Sequence, residues 1–366
     1  MTEAAGFWKE TYEMVAASKV SVEEALAGHS RVLVVNEPGL FVGKHSERVV
    51  VRRKSEVLME APLLDLEQVV ILGNGVSLSS DLVRECGQHG IPLYFLDERG
   101  DPSGSLVAPA LSATVETRRQ QLLAYNDRRG VTLAKGFAHG KLMNQLLLLR
   151  YMAKYRKERD EPLFLDVQAA ARDISDRCAE LERLEGERID DVRGELLSIE
   201  GRGSARYWQG MQLLLVRDLE WPGREGRGAT DPVNMLLNYG YGILYGQVQQ
   251  ALLIAGLDVF GGFIHADRPG KASLVLDAVE EFRQMVVDRT VFAGLNKGTL
   301  PRLDQEGRLT LDTRRNLVER IFERLDTPEP YAGKRLKLRS ILVGQARHVA
   351  AFLRAGGEYE PYVGRW

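Results

Sequence analysis

The stretch from residue 31 to residue 75, RVLVVNEPGLFVGKHSERVVVRRKSEVLMEAPLLDLEQVVILGNG, contains short runs of valine and leucine separated by turn residues. Runs of this length, bounded by Asn, Pro and Gly, are typical of β-strands. The predicted strands are Arg31–Asn36, Arg48–Arg53, Glu56–Glu60 and Gln68–Leu72. The stretch therefore predicts a small β-rich domain.

The pattern changes once along the chain. A short helix at about residues 79–87 and a strand at Ile91–Leu96 follow the β-rich stretch, and after about Pro109 the apolar spacing is helical almost throughout. The later predicted helices are Leu236–Ala255, Lys271–Val287, Thr313–Leu325 and Leu338–Ala355. One switch from strands to helices indicates an α+β chain with segregated domains, not a doubly wound parallel sheet.

We therefore predict three regions. Residues 1–29 have the apolar spacing of a helical extension, residues 30–109 form the β-rich domain, and residues 110–366 form a larger α-helical domain. The total length of 366 residues is appropriate for about two domains.

Composition excludes several classes of protein. The two cysteines, Cys86 and Cys178, are far apart and lie in no C-x-x-C spacing, so neither a disulfide framework nor a zinc site is expected. No apolar run approaches the length of a membrane span, and residues 1–19 lack the basic start and apolar centre of a signal peptide. We therefore expect a cytoplasmic protein with no membrane partner.

Charge is distributed unevenly, although the total of 49 basic and 51 acidic residues gives only 49 − 51 = −2. Residues 111–159 carry 11 basic and 3 acidic side chains (+8), whereas residues 160–200 carry 5 basic and 13 acidic ones (−8). The basic run has two interpretations, a solvated helix face or a track that binds DNA phosphates. The sequence leaves both open.

Candidate chemistry comes from one histidine and a few acids, because motifs such as a P-loop, a Rossmann glycine fingerprint, H-E-x-x-H and G-x-S-x-G are absent. His265 closes a small, apolar stretch, and Asp277 and Glu280 follow at a spacing that shares one helix face. Glu200 opens the segment EGRGSARYW. Such a donor set suits Mg²⁺ or Mn²⁺, although a histidine beside acids is also common as a purely structural residue.

Four motifs in order carry a resemblance to a known family. They are EGRGSARYW at 200–208, DPVNMLLNYGY at 231–241, GLDVFGGFIH at 256–265 and LDAVEEFR at 276–283. Each is loose by itself, but the ordered set closely resembles the CRISPR-associated spacer-acquisition integrases, the catalytic subunits of the CRISPR adaptation complex. The resemblance extends from about Arg31 to the C-terminus.

The resemblance implies a small N-terminal β-sandwich-like domain followed by a larger all-α catalytic domain. It also implies a divalent metal, Mg²⁺ or Mn²⁺, bound by Glu200, His265 and Glu280, with Asp277 as a supporting or alternative ligand. Proteins of this family insert prespacer DNA into a CRISPR array, each 3′-hydroxyl attacking a phosphodiester of the repeat. Related nuclease activity uses the same site.

The partners implied are double-stranded prespacer DNA, CRISPR repeat DNA, a second copy of the chain in a homodimer, and a small ferredoxin-like adaptation subunit. The candidate DNA contacts are Arg224, Arg227, Asn234, Asn238, Arg118 and Arg119. The two asparagines, four residues apart, could equally be amides that pack helices. Two rival functions remain, a noncatalytic helical DNA-binding scaffold and a plain metal-dependent DNA endonuclease.

Overall fold

The structure is a computed structural model that describes residues 32–66, 68–97, 102–106, 115–154, 156–216, 219–226 and 228–365. The predicted extension at residues 1–29 and the candidate DNA contact Arg227 lie outside these ranges. Contacts divide the chain into two compact units, one ending at Leu93 and one beginning at Tyr94. The domain limits predicted from the sequence place this division later, at 109/110, and stay a prediction.

The first unit contains most of the strands and one helix. Its elements are β1 Val32–Val35, β2 Leu40–His45, β3 Arg48–Arg53, β4 Glu56–Pro62, β5 Gln68–Leu72, β6 Ser77–Leu78, helix α1 Ser80–His89 and the start of β7 Leu93–Leu96.

Two sheets organise these strands. In one, β1 pairs in parallel with β5, so that Val34 lies opposite Val70. The other has the order β4-β3-β2-β6, with β2 and β3 antiparallel and Val42 opposite Val51. Val42, Val51 and Val70 are buried, as expected where apolar β-branched side chains fill a sheet core. The predicted β-rich region is confirmed.

The second unit is mostly helical, which confirms the predicted fold class. Its helices are α2 Val115–Ala124, α3 Arg128–Ala153, α4 Glu161–Arg183, α5 Ile189–Leu213, α6 Pro232–Ile254, α7 Ser273–Ala278, α8 Arg289–Asn296, α9 Leu311–Asp326 and α10 Leu338–Ala355. Its strands are β8 Pro102–Leu106 and a hairpin of β9 Pro328–Tyr331 with β10 Lys334–Lys337, so the unit is not helical throughout. Among the described helices, none combines the length and apolar character needed to cross a bilayer.

A close approach of α5 to α3 positions the site. Leu142 on α3 is fully buried, and a Cβ added at Gly203 of α5 would lie 2.4 Å from its Cδ2. A larger residue at this position would clash with the buried Leu142 side chain. Glycine at 203 therefore allows Glu200, one turn earlier on α5, to lie beside Lys141 of α3.

The helix predicted at Lys271–Val287 is wrong as a continuous element. Helix α7 ends at Ala278, a 3₁₀ turn covers Val279–Glu281, and a π-helix covers Gln284–Asp288 before α8 begins. The 3₁₀ turn carries two consecutive buried glutamates, Glu280 and Glu281, that have entirely different partners. Departures from regular α-helix of this kind are frequent at functional sites.

The C-terminal segment packs against α3 and this turn. Tyr359 OH donates to Glu281 Oε1 at 2.5 Å, and Asn144 Nδ2 on α3 donates to Tyr362 O at 2.9 Å. Gly364 N–H donates in turn to Asn144 Oδ1 at 2.8 Å. Burial raises the pKa of Glu281 to about 8, although the hydrogen bonds from Tyr359 and Tyr362 oppose this. The segment therefore supports the turn through Glu281, whereas the cationic partners contact Glu280.

Candidate metal and DNA-processing site

Glu200 lies on α5 and is oriented from its own helix. Ser204, one turn later, donates its hydroxyl to Glu200 Oε1 at 2.7 Å, and Gln145 Nε2 on α3 donates to the Ser204 hydroxyl oxygen at 3.1 Å. The i,i+4 spacing of Glu200 and Ser204 places both on one helix face. One oxygen of Glu200 is thereby fixed.

Glu280 lies in the 3₁₀ turn, where its side chain is only 6% exposed. Arg283 NH1 approaches Glu280 Oε1 at 3.0 Å, and the Lys141 ammonium approaches Oε2 at 2.8 Å. Burial alone would raise the pKa of Glu280, but the positive charges of Arg283 and Lys141 outweigh it and lower the pKa below its usual value. Glu280 is therefore a buried carboxylate held in its ionised form.

Lys141 joins the two glutamates. Its ammonium forms an ion pair with Glu200 Oε1 as well as with Glu280 Oε2. Burial alone would lower the pKa of Lys141, but Glu280 and Glu200 raise it above its usual value. A buried lysine stays charged only beside such partners, so the three groups form one electrostatic unit.

One oxygen of this unit has an incomplete set of partners. Glu280 Oε2 is buried and accepts no well-aligned hydrogen bond, although the Lys141 ammonium is 2.8 Å away. The short distance shows an ion pair, whereas the missing alignment leaves a lone pair free. An ionised oxygen with a free lone pair is a suitable ligand for a hard cation.

His265 is held by a different kind of contact. Its Nδ1 lies 2.7 Å from Asp277 Oδ1, which also accepts the His265 backbone N–H at 3.0 Å. The other oxygen of Asp277 accepts the N–H groups of Phe263 at 2.5 Å and Ile264 at 3.0 Å. Because a carboxylate accepts and does not donate, Nδ1 carries the proton and Nε2 of neutral His265 is left as a donor of electrons to a metal.

A glycine allows the loop to approach Asp277. A Cβ added at Gly262 would lie 2.6 Å from the Ser273 carbonyl carbon and 2.8 Å from Asp277 Oδ2. Gly262 N–H donates to the Ser273 hydroxyl at 2.9 Å, which ties the loop to the first residue of α7. The position therefore has no room for a larger side chain.

The structure brings the predicted ligands together in two pairs. Glu200 and Glu280 share Lys141, and His265 shares hydrogen bonds with Asp277. A protonated His265 would also contribute to the lowered pKa of Glu280, so the two pairs lie close enough to interact. Across the residues that the structure describes, no three His, Cys, Asp or Glu side chains are grouped so that they could hold an ion as they stand.

Asp277, predicted as a supporting or alternative metal ligand, has its carboxylate oxygens occupied by other partners. The residue is 0% exposed, and both of its oxygens accept hydrogen bonds from the loop that ends at His265. Its carboxylate therefore has little capacity left for a direct bond to a metal. The geometry instead makes it the group that orients His265.

Arg224, Asn234 and Asn238 have partners within the protein. Arg224 donates through NH1 to Asn234 Oδ1 at 3.1 Å and through NH2 to Asn238 Oδ1 at 2.7 Å, and its guanidinium lies 5.3 Å from the centroid of the Tyr241 ring. Asn234 is 0% exposed, and its Nδ2 donates to Gly223 O at 2.7 Å. The structure therefore gives Asn234 the role of anchoring the loop before α6 and leaves DNA no access to it.

Some residues of the basic run form ion pairs or hydrogen bonds within the protein, whereas others are exposed. Arg128 pairs with Glu187, Arg129 with Asp127, and Lys135 donates to carbonyl oxygens near the end of α4. Arg118 and Arg119 of α2 are exposed. Of the predicted DNA contacts in the described ranges, these two are the best placed to meet a phosphate backbone.

Sequence reasoning missed Lys141 as a member of the site and counted it only as part of the basic run. The available signal was its position on α3, since Phe137 and Ala138, one turn before it, and Gln145, one turn after it, are all buried. A charged residue on an otherwise buried helix face is expected to have an oppositely charged partner, because burying an unpaired charge is unfavourable. Arg283 was part of a quoted motif but was given no role. Its NH2 donates a hydrogen bond to Tyr245 OH at 2.6 Å, which holds the guanidinium in place.

Solved structures share this architecture. A casposase bound to an integration product aligns with a TM-score of 0.76 and 22% identity, covering 91% of this chain and 93% of the casposase chain. A Cas1 protein from Thermotoga maritima aligns with a TM-score of 0.71 and 19% identity, covering 90% and 99% of the two chains. Likeness at this level of identity establishes the fold class, that of Cas1 proteins and casposases.

Sequence comparison gives the family. Residues 33–323 match the family model described as CRISPR associated protein Cas1. The CRISPR-associated endonuclease Cas1 1 of Archaeoglobus fulgidus is 39% identical over 345 residues, covering 91% of this chain and 99% of that protein. The CRISPR-associated endonuclease Cas1 of Korarchaeum cryptofilum is 32% identical over 353 residues, covering 93% and 99%. The chain belongs to the Cas1 family.

Proposed function

We propose that this chain is a metal-dependent DNA endonuclease and integrase that inserts prespacer DNA into a CRISPR array by 3′-hydroxyl attack on repeat phosphodiesters. The observation that carries this proposal is the convergence of Glu200, Glu280 and an oriented His265 in one region of the helical unit. Two carboxylates and one imidazole nitrogen are donors that suit Mg²⁺ or Mn²⁺. The family and the endonuclease names of its relatives agree with this chemistry.

Each residue has a definite part in this function. Glu200 and Glu280 supply anionic oxygens, Asp277 fixes the tautomer of His265, and Ser204 and Arg283 hold the two glutamates in orientation. A bound divalent metal would polarise a phosphodiester and lower the pKa of the attacking hydroxyl. The protein's own contribution is positioning, which accounts for much of the rate acceleration in phosphoryl transfer.

DNA is the proposed substrate, and exposed cations are the proposed means of holding it. Arg118 and Arg119 lie on a surface helix of the same unit and would neutralise backbone phosphates without selecting a sequence. Related solved structures include a Cas1–DNA complex and a Cas6-RT-Cas1–Cas2 complex. They support DNA and a Cas2 protein as partners of this chain. We propose in addition that the chain works as a homodimer and that its adaptation partner is a small ferredoxin-like subunit.

The direct test is a half-site integration assay with labelled prespacer and repeat DNA, in Mg²⁺ or Mn²⁺, with and without the adaptation subunit. We expect Glu200→Ala and His265→Ala each to reduce strand transfer by about 10³-fold or more, because each removes a group needed in the transition state. Glu195→Ala, an exposed position on the same helix α5, is the matched control and should retain activity.

The assay also separates the rival functions. Undiminished integration by a folded Glu200→Ala or His265→Ala protein contradicts the catalytic assignment and favours a noncatalytic scaffold. Cleavage that needs neither repeat DNA nor the adaptation subunit, with no joined product, favours a plain endonuclease. Circular dichroism and thermal melting of each variant establish that it is folded.

A further inference from the structure

The ammonium of Lys141 lies where the two glutamate ligands meet. It contacts Glu200 Oε1 and, at 2.8 Å, Glu280 Oε2, and its side chain is only 11% exposed. These two carboxylates come from separate elements, α5 and the 3₁₀ turn, and would repel each other without a cation between them. Lys141 therefore supplies the positive charge that allows them to approach.

A second cation beside Glu280 is held differently. Arg283 NH1 lies 3.0 Å from Glu280 Oε1, but NH2 also donates to Tyr245 OH at 2.6 Å and the guanidinium lies 4.9 Å from the Tyr241 ring centroid. Arg283 is thereby fixed by three groups. In the described part of the chain, the Lys141 ammonium contacts only the two carboxylates.

The chemistry of the side chain fits a cation that can leave. Lysine carries a compact ammonium on a flexible four-carbon stem, whereas arginine presents a rigid, planar fork. The alignment of Lys141 with Glu280 Oε2 is also poor, since that buried oxygen accepts no proper hydrogen bond despite the short distance. The attraction of opposite charges is therefore the main interaction that holds the ammonium there.

We propose that Lys141 takes the place of a divalent cation between Glu200 and Glu280 whenever none is bound, and that metal binding displaces its ammonium. This inference rests on the proposed function, because it assumes that the two glutamates are metal ligands. It accounts for the absence of a ready group of three ligands in the described ranges, since the lysine occupies the position toward which the carboxylates converge. The lysine keeps the pair assembled, and its displacement lowers the net affinity for metal.

The test compares Lys141→Met with wild type in the full-length protein, without DNA, after removal of metal by EDTA. Isothermal titration with Mn²⁺ should give a Kd at least about tenfold lower in the variant, because no ammonium has to be displaced. Without metal the variant should melt about 5 °C or more below wild type, because the buried Glu280 and the partly buried Glu200 lose their shared partner. Addition of Mn²⁺ should restore the melting temperature. Arg150→Met, an exposed position on α3, is the control and should change neither quantity.

The outcomes distinguish this inference from the proposed function. If wild type binds Mn²⁺ no more tightly than Glu200→Ala does, the proposed metal site itself is contradicted. If wild type binds Mn²⁺ and Lys141→Met binds it with equal or weaker affinity, displacement of the lysine is contradicted. Lys141 is then only a structural partner of the two glutamates. If Lys141→Met does not fold, Lys141→Gln, which keeps a polar group without the charge, is subject to the same criterion for Kd.

Discussion

The two halves of the site are held by different forces. Glu200 and Glu280 are joined through the charge of Lys141, whereas His265 is joined to Asp277 through directional hydrogen bonds that also include backbone N–H groups. A pair held by charge can exchange its cation with little change in backbone. A pair held by four hydrogen bonds cannot adjust, so the imidazole stays fixed while the carboxylates are free to change partners.

The largest effect should follow from breaking the fixed half. In Asp277→Asn an NH₂ group replaces one carboxylate oxygen, so it can no longer accept both the loop N–H groups and the His265 Nδ1–H. We expect strand transfer and Mn²⁺ affinity to fall by about 10- to 100-fold, the usual cost of losing a group that orients a ligand. Integration kinetics and calorimetry measure the two quantities.

The control for this change is Asp267→Asn, because Asp267 is exposed and lies in the same loop but contacts Ser273 and not His265. A folded Asp277→Asn protein with wild-type metal affinity and rate would show that orientation of His265 does not matter. The two halves would then be equally adjustable.

A third buried carboxylate sharpens the comparison, because its partners are neutral hydroxyl groups. Asp288 is 0% exposed and accepts hydrogen bonds from Tyr207 at 2.7 Å and Tyr241 at 2.5 Å. Burial raises its pKa to about 6, although these hydrogen bonds oppose the shift. The pKa of Glu280, which has cationic partners, is lowered instead.

The pH dependence of stability tests this contrast. The pKa of Asp288 is higher in the folded state, so the folded protein binds this proton more tightly than the unfolded chain does. Proton binding at Asp288 therefore stabilises the folded state at low pH. This stabilisation is lost as the pH rises from about 4 to about 6. Relative to wild type, Asp288→Asn should therefore gain about 2 to 3 kcal/mol in free energy of unfolding between pH 4 and pH 7. Urea titrations at both pH values measure this, with the exposed Asp166→Asn as control. A difference independent of pH would contradict the assigned environment.

The smallest effect concerns exposed cations outside the site. Arg118→Ala and Arg119→Ala should each weaken DNA binding by about three- to tenfold at low salt and reduce the salt slope by about one unit, if each arginine contacts one phosphate. Fluorescence anisotropy at several salt concentrations measures both. Arg172→Ala, exposed on α4 outside the basic run, is the control. An unchanged salt slope would mean that these two arginines serve only as a solvated helix face.

Local apolar patterns predicted much of the fold. The predicted strand Arg48–Arg53 and helix Leu338–Ala355 coincide with β3 and α10, because each has a clear apolar period and a definite stop. Strand β2 was missed because Gly39 and Gly43 resemble turn residues, and its pairing with β3 overrides that local signal. The broken helix after Ala278 was also missed, since the partners that stabilise the break come from α3 and the C-terminal segment.

The site was predictable only as far as residue type indicates chemistry. Glu200, His265 and Glu280 are recognisable from their motifs, and they remain predicted ligands. Lys141 was not recognisable as a site residue, because its role depends on contacts with Glu200 and Glu280, which lie far away in sequence. A lysine at a solvent-facing position has the same local sequence signal. The sequence left two roles open for Asn234, a DNA contact or an amide that packs helices, because spacing places it on a helix face without revealing what covers that face; its burial favours the second role.

The buried segment of residues 359–364 has a consequence for how the helical unit folds. Gly364 N–H donates to Asn144 Oδ1 across 220 residues, and Tyr359 closes over Glu281 in the turn that carries Glu280. Contacts between such distant positions form late, since a long stretch of chain must be ordered first. The turn that carries Glu280 therefore gains this support only after residues 359–364 have packed against α3. Assembly of this part of the site is thereby coupled to the docking of residues that lie far away in sequence.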